Sequence, residues 1–295
     1  MKEDYSQYEI KPDVINYEDL CQLVPALKGH PKIAERLMKF IWLDKVNKAH
    51  AACCDTPGHN FTRRLLFEQF KMKVDVEGKE VLDNLPDGPF ITISNHPFGA
   101  IDGIILIYLM GQKRPEFKVM VNMILNYITA MRPNFIAVDP MSSDDPKKRA
   151  VSMSGIRAVL RQLSEGKPIG FFPAGAMSKT TLTHGLQDRK WQESVLQIIF
   201  KAKVPVIPVF FHGSNSWLCN LMGHICWPLR SLMIPSEMFK KSGKTVKVTI
   251  GEPISVEEQK QYVDPLSLGD YLRKKTYALK KKPKKDKENA EERKH

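Results

Sequence analysis

Short apolar runs alternate with helical segments through the middle of this 295-residue chain. The segments between the runs have the charge and apolar spacing of helices, and short connections join them to the runs. This alternation predicts an α/β fold with a mostly parallel central sheet flanked by helices, which we place at residues 76–272. The predicted strands are 90–93, 117–121, 134–138, 169–172, 204–211 and 245–251, and the predicted helices are 101–110, 123–131, 146–165, 189–202 and 257–282, the last with an interruption near Asp264 and Pro265.

The segment before this domain, residues 1–75, is predicted to be an arm followed by helices. Apolar residues recur at helical spacing in 31–53, with Arg36 and Lys39 at other positions, which predicts an amphipathic basic helix. A second short helix is predicted at 61–71. The basic helix either packs on the main core, as an ordinary helix does, or lies in the headgroup region of a membrane.

The net charge of +12 is concentrated towards the end of the chain. Residues 273–295 hold eleven Lys and Arg against four Asp and Glu, a net charge of +7. A charge run of this kind predicts a solvated, partly disordered tail. Anionic lipid and nucleic acid would both attract it. Because no recognisable nucleic-acid-binding module accompanies the tail, we predict an anionic membrane surface as partner and no nucleic acid; a tail that only aids solubility is the alternative.

Cysteine usage and hydropathy argue against a secreted or membrane-spanning protein. The five cysteines include no Cys-x-x-Cys pair, which is typical of a reducing compartment and offers no zinc site. The polar N-terminus does not resemble a signal peptide, and no run of about 18–20 apolar residues predicts a transmembrane helix. Any contact with a membrane is therefore expected at its surface.

The stretch 90–103 brings a histidine and an aspartate to the edge of the predicted sheet. A buried strand runs into a turn that presents His96, and an apolar helix begins near Asp102. A separation of six residues does not place two side chains on one helix face, so the pair can meet only if Pro97 and Gly99 curl the chain between them. A carboxylate on one ring nitrogen would fix the tautomer and leave the other nitrogen as a base. The alternative is a structural histidine that caps the turn.

Four blocks, in this order, resemble the motifs of the lysophospholipid and glycerol-phosphate acyltransferase superfamily. Residues 95–103 (Asn-His-Pro-Phe-Gly-Ala-Ile-Asp-Gly) resemble its first motif, with five residues between His and Asp where the common form has four. This His-x5-Asp form is similar to a bacterial, hemolysin-like branch related to O-acyltransferases of ornithine- and glycine-type aminolipids. Residues 132–139, 171–178 and 204–209 resemble the second, third and fourth motifs.

The resemblance implies a glycerol-phosphate acyltransferase-like fold and an O-acyltransferase of membrane lipid synthesis. His96 would take the proton of an acceptor hydroxyl, Asp102 would orient His96, and the alkoxide would attack an acyl thioester. Backbone amides near 173–175 would bind the oxyanion. The implied substrate-binding residues are Asn95, Pro97, Phe98, Gly99, Asp139, Pro173, Ala174, Gly175, Ser178 and Lys179.

The resemblance also implies the partners and the location. The acyl donor would be an acyl carrier protein or coenzyme A thioester, used as a co-substrate, with no bound cofactor and no metal. An acidic carrier protein would suit a basic partner surface. The implied location is peripheral, at the cytoplasmic face of the inner membrane, where the lyso-lipid acceptor resides.

Two arginines that contact the acceptor phosphate in the superfamily are missing here. Asp139 is followed by Pro140, and residues 174–177 read Ala-Gly-Ala-Met where the superfamily has Glu-Gly-Thr-Arg. Because an arginine fork binds phosphate bidentately and these residues cannot, we expect a lyso-aminolipid acceptor. A 1-acylglycerol-3-phosphate acceptor is the alternative, and a lipid esterase or thioesterase and a non-catalytic lipid-binding protein are the alternatives of other classes.

Two further features each admit two interpretations. His212, at the end of a predicted strand, either caps that strand or contacts the substrate. Residues 217–229, rich in Met and Trp, form either a buried helix or a surface that lines an acyl-chain channel or touches lipid.

Overall fold

A seven-stranded mixed sheet forms the centre of the protein in the computed structural model, which describes residues 5–138, 146–181 and 185–280. The strand order is β1-β9-β8-β2-β5-β3-β4, and β6 and β7 form a separate antiparallel hairpin. The strands are β1 (Lys73–Glu77), β2 (Ile91–Ser94), β3 (Lys118–Asn122), β4 (Phe135–Val138), β5 (Ile169–Phe171), β6 (Lys179–Thr181), β7 (Gly185–Gln187), β8 (Val206–Phe211) and β9 (Thr245–Ile250).

The five strands from β8 to β4 are parallel to one another, so the prediction of a mostly parallel sheet is confirmed. Ile91 of β2 pairs with Val206 of β8 on one side and with Ile169 of β5 on the other. β9 runs antiparallel to β8, and β1 runs parallel to β9 at the sheet edge. All four residues of β2 are buried, as expected for a parallel strand that is covered on both faces.

Helices cover the sheet on both faces. They are α1 (Tyr17–Leu23), α2 (Pro31–Phe40), α3 (Leu43–Ala51), α4 (His59–Arg64), α5 (Lys79–Asp83), α6 (Ala100–Gly111), α7 (Pro146–Ser164), α8 (Glu193–Ala202), α9 (Trp217–Ile225), α10 (Trp227–Leu232), α11 (Ile234–Phe239), α12 (Val256–Gln259) and α13 (Pro265–Ala278). One apolar cluster joins α6 to the N-terminal helices, and a second joins α7, α8 and α13 to β2 and β5. No helix in these described ranges is both long and apolar enough to cross a bilayer.

The basic helix predicted at 31–53 is two helices, α2 and α3. The chain breaks between them because Trp42 adopts a left-handed conformation, with φ of 64°. The side chain of Phe40, at the end of α2, is 83% exposed, and Ile33 is exposed as well. Part of the apolar side of α2 is therefore exposed. One of the two interpretations of its sequence pattern placed this side against the main core.

Several elements differ from the sequence prediction. The helix predicted at 123–131 is instead two 3-10 segments, Met123–Tyr127 and Thr129–Asn134. The edge strand β1 and the short hairpin of β6 and β7 were not predicted. The interruption predicted near Asp264 and Pro265 is confirmed, since α12 ends at Gln259 and α13 begins at Pro265.

The boundary predicted before the basic tail falls within α13, which continues to Ala278. The remaining tail residues, 281–295, lie outside the described part of the chain.

The Met- and Trp-rich segment 217–229 is not a buried helix. It forms α9 and the start of α10, in which Trp217 is 75% exposed and Ile225 is 66% exposed. Leu218, Leu221, Leu229 and Leu232 are exposed on the same pair of helices.

Candidate active site

Strand β2 ends just before His96, which therefore lies at the carboxyl edge of the sheet. The turn that contains His96 folds back on the sheet. Asn95 is buried and pins this turn to the end of β8: its amide donates to the carbonyl of Phe211 at 2.9 Å, and its Oδ1 accepts the Phe211 N–H at 2.7 Å. Gly99, with φ of 86°, precedes the first residue of α6. The conformation is open to glycine and rarely to other residues, so the curl expected from Pro97 and Gly99 is present.

Asp102 lies in the first turn of α6 and is fully buried. Its Oδ2 accepts the backbone N–H groups of Phe98 at 2.9 Å and Gly99 at 3.0 Å, and lies 2.9 Å from His96 Nδ1. Burial raises the pKa of Asp102, whereas the nearby imidazole and the two N–H donors act in the opposite direction. The carboxylate thus closes the turn and orients the histidine at the same time, as the spacing of the two residues required.

The ring of His96 reaches the surface on the side away from Asp102. Its side chain is 19% exposed and packs at 4.2 Å, centroid to centroid, on the ring of Phe172. Nδ1 is buried and lies 2.9 Å from the carboxylate, and the tautomer that carries its proton on Nδ1 has Nε2 as the basic nitrogen. This is the arrangement that a general base for a hydroxyl group needs.

The loop after β5 lies beside this turn, as predicted for the third motif. Gly175 is exposed with φ of 63°, and its N–H donates to the carbonyl of Phe172 at 2.9 Å. The N–H of Ser178 donates to the carbonyl of His96, also at 2.9 Å, which joins the two loops directly. The side chain of Gln192 fills the space that a Cβ at Gly175 would take, so this position requires glycine for packing as well as for its backbone conformation.

The predicted substrate-binding residues separate into three groups by their surroundings. Gly175 is exposed, and Lys179 at the start of β6 is half-buried, so both can be reached from outside. A second group, buried in the turn and the loop, supports the site from behind: Asn95, Pro97, Phe98, Gly99, Pro173, Ala174 and Ser178. Asp139 lies outside the described residues.

Three residues that the sequence did not indicate surround the two loops. Asp188 accepts hydrogen bonds from the N–H of His96 and the hydroxyl of Ser178. Arg230 of α10 is buried, and its guanidinium donates to the Ser178 carbonyl at 2.7 Å and lies 3.5 Å from that of Met177. The Nζ of Lys241 lies 4.9 Å from the ring centre of Phe98. None shares a motif with His96, since all three are more than 90 residues from it in sequence.

His212 bonds to the neighbouring strand β9, and a cavity beside α6 and β1 is lined by neither His96 nor Asp102. A ring nitrogen of His212 lies 2.8 Å from the hydroxyl of Thr249, and its backbone N–H donates to Lys247, so the residue closes the end of β8. The cavity, of about 260 Å³, lies at the far end of α6, between Tyr108 and Val74.

A central, mostly parallel sheet with a His–Asp pair at its carboxyl edge is an arrangement suited to proton transfer from a hydroxyl group. A protein-family model described as acyltransferase matches residues 20–285, and the chain belongs to this family. The resemblance inferred from the four sequence blocks is confirmed by this match.

The relatives found in the comparison carry one name. The chain is 26% identical, over 255 residues, to the lyso-glycine lipid O-acyltransferase of Bacteroides thetaiotaomicron, covering 84% of this chain and 89% of that protein. It is also 26% identical, over 218 residues, to the lyso-glycine lipid O-acyltransferase of Phocaeicola vulgatus, covering 70% and 73%. Among solved structures it is similar to the 1-acyl-sn-glycerophosphate acyltransferase PlsC from Thermotoga maritima, with a TM-score of 0.48 and 18% identity over 84% of this chain and 87% of that one.

Proposed function

We propose that this acyltransferase transfers a fatty acyl group from a thioester to the hydroxyl of a lyso-aminolipid. The observation that carries the proposal is the His96–Asp102 pair, 2.9 Å apart, with the opposite side of the imidazole open to the surface. Nε2 of His96 takes the hydroxyl proton as the oxygen attacks the thioester carbonyl, and Asp102 stabilises the imidazolium that forms. The tetrahedral intermediate then expels the thiolate, which takes the proton back from His96.

The acceptor is proposed from two supporting observations. Both relatives in the comparison are named lyso-glycine lipid O-acyltransferases. In addition, the described part of the third-motif loop presents no arginine fork for a phosphate, because Arg230, which is bonded to this loop, is buried and donates to its carbonyl groups. A lyso-glycine lipid carries no phosphate, so its recognition needs no phosphate-binding arginine. The 1-acylglycerol-3-phosphate acceptor remains the second candidate.

In the experiment, the purified protein is incubated with acyl thioesters of acyl carrier protein or of coenzyme A and with a panel of lyso-lipids. The products are identified by mass spectrometry. We expect acylation of lyso-glycine or lyso-ornithine lipid, and a fall of at least about 10²-fold in the His96→Ala variant. His30→Ala, an exposed histidine before α2, is the matched control and should retain the wild-type rate.

Each other outcome contradicts a specific part of the proposal. Acylation of lysophosphatidate, with none of the lyso-aminolipids, would overturn the acceptor. Release of free fatty acid without an acceptor would indicate an esterase or thioesterase. An unchanged rate in His96→Ala would remove the histidine from the mechanism. The two donor arms decide between acyl carrier protein and coenzyme A.

We further propose that the protein works in a bacterial cell as a peripheral protein at the cytoplasmic face of the inner membrane. The support is an exposed apolar surface on α9 and α10, next to the site, and a second one on α2. Arg230 of α10 is bonded to the loop beside His96, so this surface adjoins the catalytic edge of the sheet. Lys244, which is exposed after α11, supplies positive charge for anionic lipid headgroups. The basic tail would add to this attraction.

A further inference from the structure

A second buried carboxylate, Asp188, contacts the histidine turn at the backbone of His96. Asp188 follows β7, and its Oδ1 accepts the backbone N–H of His96 at 3.2 Å and the hydroxyl of Ser178 at 2.6 Å. Its Oδ2 lies 3.4 Å from the indole N–H of Trp191. Burial raises the pKa of Asp188, whereas the three donors and the charge of a protonated His96 act in the opposite direction and favour the carboxylate form.

The same unit also holds the carbonyl side of His96. The N–H of Ser178 donates to that carbonyl, while the Ser178 hydroxyl donates to Asp188. Both backbone polar groups of His96 are therefore bonded to one buried pair, Ser178 and Asp188. Asp102 orients the ring, and Asp188 fixes the main chain that carries the ring.

The C-terminal helix α13 holds Asp188 in turn. The Asp188 N–H donates to the hydroxyl of Tyr277 at 2.7 Å, and the guanidinium of Arg273 donates to the Asp188 carbonyl at 2.9 Å. Burial and the charge of Asp188 raise the pKa of Tyr277, so its hydroxyl stays neutral at physiological pH. The position of the histidine thus depends on residues about 90 and 180 positions later in the chain.

We propose that Asp188 is a positioning residue for His96, which holds the backbone of the base and places a negative charge beside the imidazolium formed during transfer. This assignment rests on the proposed acyl transfer for its kinetic part, but the contacts do not depend on which lipid is the acceptor. Asp188 does not touch the reacting atoms; its effect passes through His96.

Two variants separate the effect of the negative charge of Asp188 from the effect of its hydrogen bonds. Asp188→Asn keeps an oxygen for the His96 N–H and removes the charge, whereas Asp188→Ala removes both. The other charged groups near this turn are Asp102 from α6, Arg273 from α13, Arg230 from α10 and Lys241 after α11, and all are unchanged in both variants. Asp270→Asn, an exposed aspartate on α13, is the matched control.

The first test measures kcat and KM against pH for the full-length protein and these variants. Without the negative charge at Asp188, protonated His96 is less stable and takes up its proton at lower pH. In Asp188→Asn the acid limb of the kcat/KM profile should therefore move to lower pH by about one unit. The plateau kcat should fall at least about threefold as the base weakens, with little change in KM. Asp188→Ala should lose more activity, and Asp270→Asn should match the wild type.

A second measurement is independent of any substrate. In protein labelled with ¹³C-histidine, the His96 signal is identified by its absence in His96→Gln, and its chemical shift is followed against pH. The titration should move to lower pH in Asp188→Asn, with the other histidine signals unchanged. If the wild type transfers no acyl group, the proposed function fails, and this titration still decides the role of Asp188. The assignment would be overturned if Asp188→Asn showed the same acid limb of the kcat/KM profile and the same His96 titration as Asp270→Asn.

Discussion

One carboxylate oxygen, Oδ2 of Asp102, serves three partners in a fully buried environment. It accepts two backbone N–H groups and faces Nδ1 of His96. The oxygen is therefore necessary both for the shape of the turn and for the charge that stabilises imidazolium. A substitution that keeps the oxygen and removes the charge distinguishes these two roles.

We expect Asp102→Asn to retain the fold and to lower kcat by about 10²-fold or more. Its amide oxygen can still accept the N–H groups of Phe98 and Gly99, but a neutral partner stabilises imidazolium much less than a carboxylate does. The measurement is kcat with the preferred lyso-lipid, together with the circular dichroism spectrum. Asp87→Asn, an exposed aspartate before β2, serves as control. Equal rates for the two variants would show that the charge of Asp102 is not used.

The sequence predicted this pair but not its second support. His96 and Asp102 lie in one short stretch, where the Pro-Phe-Gly turn chemistry restricts the possible conformations. Asp188 follows the β6–β7 hairpin and Arg230 lies on α10. Both residues come close to His96 only because the chain after β5 folds back to this site. Contacts between residues so distant in sequence depend on tertiary packing, which local residue patterns do not record.

At the scale of elements, the start of α6 depends on a glycine that cannot be replaced without strain. Gly99 has φ of 86°, and a Cβ there would lie 2.9 Å from Sδ of Met177 in the neighbouring loop. Four residues later, Gly103 lies inside the helix, and a Cβ there would meet Phe172 at an ordinary 3.9 Å. Gly99, just before α6, and Gly103, inside it, thus form an internal comparison.

We expect Gly99→Ala to lower the free energy of unfolding by about 1–3 kcal/mol because of the backbone strain. Activity should fall as well, because the turn carries His96. Gly103→Ala should change stability by less than about 1 kcal/mol, in the stabilising direction, because alanine is a better helix former. Urea unfolding followed by circular dichroism measures both. The expectation is contradicted if Gly99→Ala is as stable as Gly103→Ala.

Elements with strong local signals were predicted, and those that depend on neighbours were not. The strands β2, β5 and β8 are buried throughout and belong to mainly apolar runs, and they were placed to within about two residues. β1 has an alternating but mainly polar sequence and becomes a strand because β9 offers a parallel partner. The break between α2 and α3 arises at Trp42, whose left-handed conformation no local residue preference predicts.

At the scale of the whole molecule, exposed apolar surface lies unevenly around the protein. Residues 217–232 include several exposed apolar side chains, and the charged residue among them, Arg230, is buried. Trp42 links the α2–α3 corner to the end of α11, since its ring lies 5.9 Å from that of Phe239. The two apolar regions therefore adjoin through α11, whose Ile234 lies against the turn at Gly99. The carboxyl edge of the sheet faces this side of the molecule.

We expect the double variant Trp217→Ser/Ile225→Ser to bind vesicles containing phosphatidylglycerol at least tenfold more weakly than the wild type, because two large apolar side chains no longer enter the bilayer interface. Binding should also weaken as salt screens the positive charge of Lys244. Val263→Ser is the matched control: this side chain is 89% exposed, but it lies between α12 and α13, near the amino end of β8 and away from the catalytic edge. Vesicle flotation measures the binding. If the double variant floats like Val263→Ser and instead changes the oligomeric mass in solution, the surface is a contact between copies of the protein, and the proposed orientation of the catalytic edge towards lipid is wrong.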